Sequence, residues 1–245
     1  MLLKITFRAL VFYYQFEKYM KPLNIFILGP SGSGKSTQAK FLAKDFDLIY
    51  LKSGEMLRAI ARQDTALGRK IKKIMSEQGK FVPCKIVVKI AKKELKKIAK
   101  NKGIIFDGFG RKLPEIKADE RMLAKMGRRI DYVFLIEISE KETLKRLSKR
   151  RVCRKCGTNF ILGKTIKEDI KKCPKCGGEI YQRKDDSPVK IKSRLKEYQK
   201  ETLPVARYLK KKRILIKING EQPIKKVYKD ILSKILKQGG KFKKK

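Results

Sequence analysis

An α/β fold built on a parallel sheet is predicted by three observations. Short apolar runs at 23–28, 104–107, 131–136 and 214–218 alternate along the chain with longer amphipathic segments. The first run leads directly into a glycine-rich turn and then a helical segment, the order a doubly covered sheet uses at its ligand-binding end. A length of 245 residues suits one α/β domain carrying an insertion, or two small domains.

The first strand, Leu23 to Leu28, is followed by Gly29-Pro30-Ser31-Gly32-Ser33-Gly34-Lys35-Ser36-Thr37 and then by a helix beginning near Gln38. This is a phosphate-binding loop in its proper context. Successive backbone N–H groups can turn inward around a polyphosphate, and the helix N-terminus adds the positive end of its dipole. Lys35 would reach the β- and γ-phosphates and the Ser36 hydroxyl would face Mg²⁺, so the motif implies a bound nucleoside triphosphate.

A short strand near Leu48–Leu51 comes next, then helices near 54–63, 66–78 and 84–100. In the last of these Ile86, Ile90 and Ile98 form the apolar stripe, with lysines elsewhere. Ile104-Ile105-Phe106-Asp107 reads as a buried strand, followed by a helix near 115–126, the strand 131–136 and a helix over 140–150. After a cysteine-bearing insert at about 149–186 the pattern resumes. It continues with one helix over 188–210, the strand Ile214–Ile218, and a last helix with Ile224, Val227, Ile231 and Ile235 on one face. The tail from Gly239 to Lys245 is expected to be disordered.

Composition limits the chemistry. There is no histidine, so acid–base or metal chemistry through imidazole is excluded, and the work falls to Arg, Lys, Asp and metal. Lys and Arg number 65 against 24 Asp and Glu, a formal net charge of +41. The lysines are spread over nearly every helix, which reads as a solvated surface rather than a dedicated RNA-binding patch. No apolar stretch approaches the ~18 residues of a membrane-spanning helix, and Lys4 and Arg8 interrupt the apolar start, so a cytoplasmic location is expected. Residues 1–19 carry two readings: an upstream extension before a true start at Met20, or an amphipathic membrane-surface helix rich in Phe and Tyr.

Cys153-x-x-Cys156-Gly157 and Cys173-x-x-Cys176-Gly177 form two knuckles separated by sixteen residues. That spacing offers four thiolates to one tetrahedral ion and reads as structural Zn²⁺. Disulfides are disfavoured by the expected compartment, and four thiolates leave no open position for a catalytic metal. Cys84 stands apart, at the start of a helix.

Taken together, these motifs resemble the adenylate kinase family, in its long form with a zinc-bearing lid. The match runs over about 21–237 and includes, besides the phosphate loop, Ser53-Gly54-Glu55-Met56-Leu57-Arg58, Gly79-Lys80-Phe81-Val82-Pro83, Asp107-Gly108-Phe109-Gly110-Arg111, Arg150-Arg151-Val152-Cys153 and the stretch through Asp185-Asp186. The resemblance implies a P-loop NTPase core over 21–51, 83–148 and 187–237. To this it adds a helical monophosphate-binding arm over 52–82 and a small zinc-bearing β lid over 149–186, flanked by the extension 1–20 and the basic tail 238–245.

It further implies transfer of the ATP γ-phosphoryl to AMP by a monomer. ATP would lie on Gly29–Thr37, Arg146 and Arg150. AMP would lie against Ser53, Arg58, Gly108, Arg111, Glu115, Arg183 and Arg194. Lys35, Arg111, Arg150, Arg183 and Arg194 would surround the transferring group. Asp107 would orient Mg²⁺ through water, and Asp185 and Asp186 would fix the lid.

Two positions depart from the family pattern. Gly110 replaces a proline, and Glu115 stands where a glutamine usually reads adenine. The preferred orientation of Glu115 is outward to Lys112 or Lys117; the alternative, facing the base, would weaken discrimination against GMP. A kinase for GMP or a pyrimidine monophosphate, and a zinc-ribbon RNA-binding ATPase, stand as alternatives; no specific nucleic acid partner is expected.

Overall fold

A computed structural model describes residues 22–78 and 80–239. Both readings of residues 1–19, and the tail from Gly240 onward, fall outside the described residues.

Five parallel strands form the central sheet in the order β2-β3-β1-β4-β8: β1 (Asn24–Leu28), β2 (Ile49–Lys52), β3 (Ile104–Asp107), β4 (Tyr132–Glu137) and β8 (Leu215–Asn219). Both faces of the sheet are covered, which is why its strands read as unbroken apolar runs. Phe26, Leu28, Phe106 and Leu135 face a cluster that takes in Val87, Leu95, Ile116, Leu123, Val205 and Leu209. Ile25, Ile27, Ile105, Phe134 and Ile136 face the other cluster, with Ala39, Leu42, Val227, Ile231 and Ile235.

The helices supplying those side chains are α1 (Lys35–Asp45), α4 (Cys84–Leu95), α5 (Leu113–Lys125), α8 (Leu203–Lys211) and α9 (Ile224–Gly239). Between β2 and α4 the chain makes α2 (Ser53–Ala61), α3 (Ala66–Lys72) and a π turn, Lys73–Glu77. Helix α6 (Glu140–Ser148) leads into a separate antiparallel sheet, ordered β6-β5-β7, made of β5 (Arg150–Cys153), β6 (Asn159–Ile161) and β7 (Ile180–Tyr181). Helix α7 (Pro188–Glu197) returns the chain to the core.

Several expected elements are corrected. The helix expected over 188–210 is α7 and α8 joined by a π turn at Tyr198–Thr202, just ahead of Pro204, which has no N–H to continue the ladder. The helix expected over 66–78 likewise gives way to a π turn. Helix 140–150 ends at Ser148, so Arg150 begins a strand. The helix expected over 84–100 ends at Leu95; the buried stripe of α4 is Val87, Ala91 and Leu95, flanked half-buried by Ile86 and Ile90 and, past the helix end, by Ile98. In α9 Ile224 is exposed although Val227, Ile231 and Ile235 are buried. That helix also takes in Gly239, the first residue of the expected tail.

Candidate active site

The carboxyl ends of β1, β2 and β3 open onto a cleft of about 240 Å³. It is lined by the loop after β1, by Ser53, Leu57, Arg58 and Met75 of the helical segment after β2, and by Asn159, Phe160 and Ile161 of the small sheet. The loop wraps closely against the core: a side chain at Gly29 would collide with the Ile136 carbonyl. Gly34 caps α1, whose N-terminus points into the loop.

Lys35 is half-buried at the floor. Its Nζ donates to the Pro30 carbonyl at 2.5 Å and lies 3.4 Å from Ser33 Oγ. Burial, reinforced by Arg111, Arg194 and Arg150 against the attraction of Asp107, brings its pKa down to about 7. Asp107 ends β3, in register with Lys52 of β2 and Ile27 of β1. Its Oδ2 accepts from Ser36 Oγ at 2.5 Å and from Tyr50 OH at 2.8 Å. Ser36 and Asp107 thus place two oxygen ligands of the kind Mg²⁺ takes beside the phosphate loop.

The arginines converge from distant parts of the chain. Arg150 grips Asp186 through two parallel contacts, Nε to Oδ2 at 2.7 Å and an Nη to Oδ1 at 2.5 Å. Arg194 reaches Asp185 Oδ2 at 3.0 Å and Ser31 Oγ at 2.6 Å, tying α7 to the phosphate loop. Arg183 donates to Asn159 Oδ1 at 3.0 Å, and among the described residues its buried Nε has no partner. Arg111 stacks on Phe81 with its guanidinium 4.9 Å from the ring centre, and its carbonyl accepts from Thr202 Oγ1.

Burial and mutual repulsion lower the pKa of Arg183 to about 9 and of Arg194 to about 10; burial lowers Arg58 and Arg111 as well. Asp185 moves the opposite way to what burial alone would dictate, because Arg194, Arg150, Arg183 and Arg58 hold it ionised. Two aspartates do not neutralise this array, so the cleft carries net positive charge suited to a polyanion.

In the small sheet the sulfurs of Cys153, Cys156, Cys173 and Cys176 lie within 4.8 Å of one another, with Cys153–Cys176 at 3.5 Å and Cys156–Cys173 at 3.7 Å. Tetrahedral Zn–S bonds of ~2.3 Å place sulfurs about 3.8 Å apart, so the four cysteines fit one metal ion. All are free thiols, and the cluster forms the centre of a small core with Phe160, Ile166 and Ile180.

The adenylate kinase family model matches residues 27–214. The chain is similar to an adenylate kinase of Methanocella arvoryzae, 39% identical over 211 residues, covering 86% of this chain and 97% of that protein. It is 38% identical over 209 residues to one from Archaeoglobus fulgidus, covering 85% and 96%, and 41% identical over 198 residues to one from Syntrophobacter fumaroxidans, covering 81% and 92%. The chain belongs to the adenylate kinase family.

Most side chains that the adenylate kinase resemblance assigns do line the cleft: Ser31 to Thr37, Ser53, Arg58, Asp107, Gly108, Arg111, Glu115, Arg146, Arg150, Arg183, Asp185 and Arg194. Arg146 is committed elsewhere. It pairs with Glu142 at 2.6 Å and donates to the carbonyls of Gly32 and Gly220, bracing the loop. Asp186 is fully buried behind Arg150.

Glu115 does not turn outward to Lys112 or Lys117, contrary to expectation. It is 3% exposed and Oε1 accepts the Gly110 N–H at 2.9 Å. Lys112 sits by Glu201 and Lys117 over the Tyr208 ring.

Tyr50, Asn159 and Asp119 were not singled out by the sequence reading. Tyr50 follows the alternation of β2, but only the register with β3 brings its hydroxyl to Asp107. Asp119 was legible as a charge one turn after Glu115 on the same helix; its burial was not. Among the described residues, no helix is long and apolar enough to cross a membrane.

Proposed function

We infer that the protein catalyses ATP + AMP ⇌ 2 ADP. One observation carries this reading beyond family membership: Arg58, Arg111, Arg150, Arg183 and Arg194 meet Lys35 in one cleft although they come from four separate stretches of chain. A hydrolase acting on a single triphosphate needs one cationic cradle. Joining two phosphorylated nucleotides requires cancelling the repulsion between them.

In the forward reaction an AMP phosphate oxygen attacks the γ-phosphorus. The new O–P bond forms as the bond to the β–γ bridging oxygen breaks, and that electron pair departs with ADP. Lys35 would leave the Pro30 carbonyl for the β- and γ-phosphates. Arg58 and Arg111 would clamp the AMP phosphate, the first held near Gly54, the second oriented by Phe81. Arg150, Arg183 and Arg194 would face the transferring phosphoryl, with Asp186 fixing the fork of Arg150, Asp185 that of Arg194, and Asn159 holding Arg183. Mg²⁺, when bound with ATP, supplies charge neutralisation of the triphosphate, and Ser36 and Asp107 are the residues placed to hold it. Arg146 serves the ATP side through the loop it braces.

The segment 52–82 then acts as the monophosphate arm and 149–186 as the lid, with Zn²⁺ on the four cysteines holding the lid's shape and taking no part in the chemistry. The core comprises 21–51, 83–148 and 187–237. We expect a cytoplasmic monomer without a specific nucleic acid partner.

An assay coupled to ADP formation, run with ATP and each ribonucleoside monophosphate, with and without RNA, tests this. AMP-dependent ADP production indifferent to RNA is expected. ATP hydrolysis that needs RNA and ignores AMP, or transfer to a pyrimidine monophosphate alone, would overturn it.

A further inference from the structure

The two positions that depart from the family pattern are in direct contact. Glu115 Oε1 accepts from the N–H of Gly110, at 2.9 Å. Gly110 has φ +64°, and a Cβ there would lie 2.7 Å from Ile116 Cδ1. A proline could supply neither the N–H nor that φ. Glycine and glutamate therefore work as a unit.

A third residue belongs with them. Asp119 lies one helical turn beyond Glu115 on α5 and is 1% exposed. Among the described residues neither of its carboxylate oxygens has a hydrogen-bond partner. The Gly110 N–H acts on it too, but is committed to Glu115. Two buried carboxyls about 5–6 Å apart at Cβ, with little but one N–H to share, do not both ionise at little cost.

Glu115 also lines the cleft, with Leu57, Met75, Val82 and Val87 on the apolar walls and Arg58 and Arg111 at the polar end. An apolar slot with cations at one end and a hydrogen-bonding edge group suits a nucleoside monophosphate, its phosphate on the arginines and its base between the apolar walls. This rests on the function proposed above.

We propose that Glu115 and Asp119, buried one helical turn apart, do not both ionise near neutral pH, and that the proton on or off Glu115, held beside the Gly110 N–H, makes the choice of acceptor purine depend on pH. A protonated Glu115 offers one O–H donor and one acceptor, matching the N1 acceptor and N6 donor of adenine. Ionised, it offers acceptors only, matching the N1 and N2 donors of guanine. The proton comes from solvent and returns to it.

The surroundings favour a change near neutrality. Burial raises the Glu115 pKa to about 7 against the pull of Arg111, the Gly110 and Arg111 N–H groups and Lys112. Burial also raises Asp119 well above the ordinary carboxylate range, helped by Glu115 and Glu120 and opposed by the Gly110 N–H. From α4, Cys84 faces both carboxyls; burial raises its pKa first, then Glu115 and Asp119, against the pull of Lys112. From α8, Tyr208 and Lys212 are engaged with Glu120.

The test is the ratio of kcat/KM for AMP to that for GMP between about pH 6 and about pH 9, in the wild type, Glu115→Gln and Asp119→Asn. The wild-type ratio should fall roughly tenfold or more as pH rises through neutrality, the scale set by one buried polar group losing its match. In Glu115→Gln it should stay level. In Asp119→Asn, which removes the neighbouring charge, the fall should move to lower pH.

Calorimetry of AMP binding in two buffers of different ionisation enthalpy gives a readout that needs no turnover. Near pH 8 the wild type should take up more protons than Glu115→Gln. A wild-type ratio flat across pH, or equal proton uptake in the two proteins, would overturn the proposal. Absence of transfer to any monophosphate would instead overturn the proposed reaction, and the binding experiment would still decide this one.

Discussion

Lys35 is the cation with least room to be anything but functional. It is half-buried, donates to a backbone carbonyl at 2.5 Å, and is crowded by arginines that add to desolvation in bringing its pKa down to about 7. Replacing it by alanine relieves that repulsion, so the fold should survive while charge stabilisation at the transferring phosphoryl is lost. Turnover of Lys35→Ala should fall by about 10²–10³-fold or more, with thermal stability unchanged or raised. Near-normal turnover in a stopped assay would remove Lys35 from the chemistry.

Glu115 gives the second residue-scale prediction. Its folded pKa of about 7 lies above the ordinary 4.5, so between those values the folded chain keeps a proton that the unfolded chain has released. That contribution is complete below about pH 4.5 and is lost as pH rises through about 7; the displacement corresponds to about 3 kcal/mol. Glu115→Gln should therefore gain several degrees in melting temperature on the wild type between acidic and alkaline buffer. Parallel melting curves across pH would contradict this. The orientation of Glu115 was not legible in the sequence, because Lys112 and Lys117 offered partners just as near along the chain. What decides is the Gly110 N–H, exposed to Glu115 only by a positive φ that no residue pattern announces.

At the scale of elements, what could be read were patterns that burial itself imposes. Ile104 to Phe106 is apolar throughout because both sheet faces are covered, and Val152 and Cys153 close the first strand of the small sheet where the knuckles begin. What could not be read were the interruptions. Pro204 sits in what reads as one long amphipathic run, and only packing shows that the turn before it widens to a π turn. The stripe of α4 was placed one residue off, since Ile86 and Val87 are equally apolar and only the sheet's position chooses between them.

The small sheet is the element most dependent on one interaction. Its strands have four, three and two residues, and its buried cluster holds Cys153, Phe160, Ile166 and Cys173 with a few half-buried neighbours. So small a core does not offset its chain entropy without help. Structural Zn²⁺ contributes about 10–16 kcal/mol of apparent binding in isolated fingers. Metal analysis should find one Zn²⁺ per chain. Chelation, or Cys173→Ser with Cys176→Ser, should produce a separate low-temperature unfolding step ahead of the core. A single unshifted transition after zinc removal would show that the sheet holds itself.

Across the whole molecule the net charge of +41 acts in opposite directions on folding and on binding. The ion pairs of the described residues consume only some of the cations, and many are local, such as Lys97 with Glu94 at 2.9 Å or Arg69 with Asp64 at 2.5 Å. Such exposed pairs contribute ~0–1 kcal/mol each and do not cancel the field of the whole. The surplus cations repel one another in the folded state, and the same field draws phosphates toward the cleft. Salt screens both. Raising KCl from about 0.02 M to about 0.5 M shortens the Debye length from ~20 Å to ~4 Å. The melting temperature should therefore rise with salt while the KM for ATP also rises, because steering and long-range attraction weaken. The buried arginines at the reacting phosphoryl are screened far less, so kcat should change little by comparison. Melting curves and initial rates over one salt series measure all three quantities. A melting temperature that falls with salt would mean the surface charges are organised into stabilising networks. A KM that ignores salt would confine the electrostatics of binding to the cleft itself.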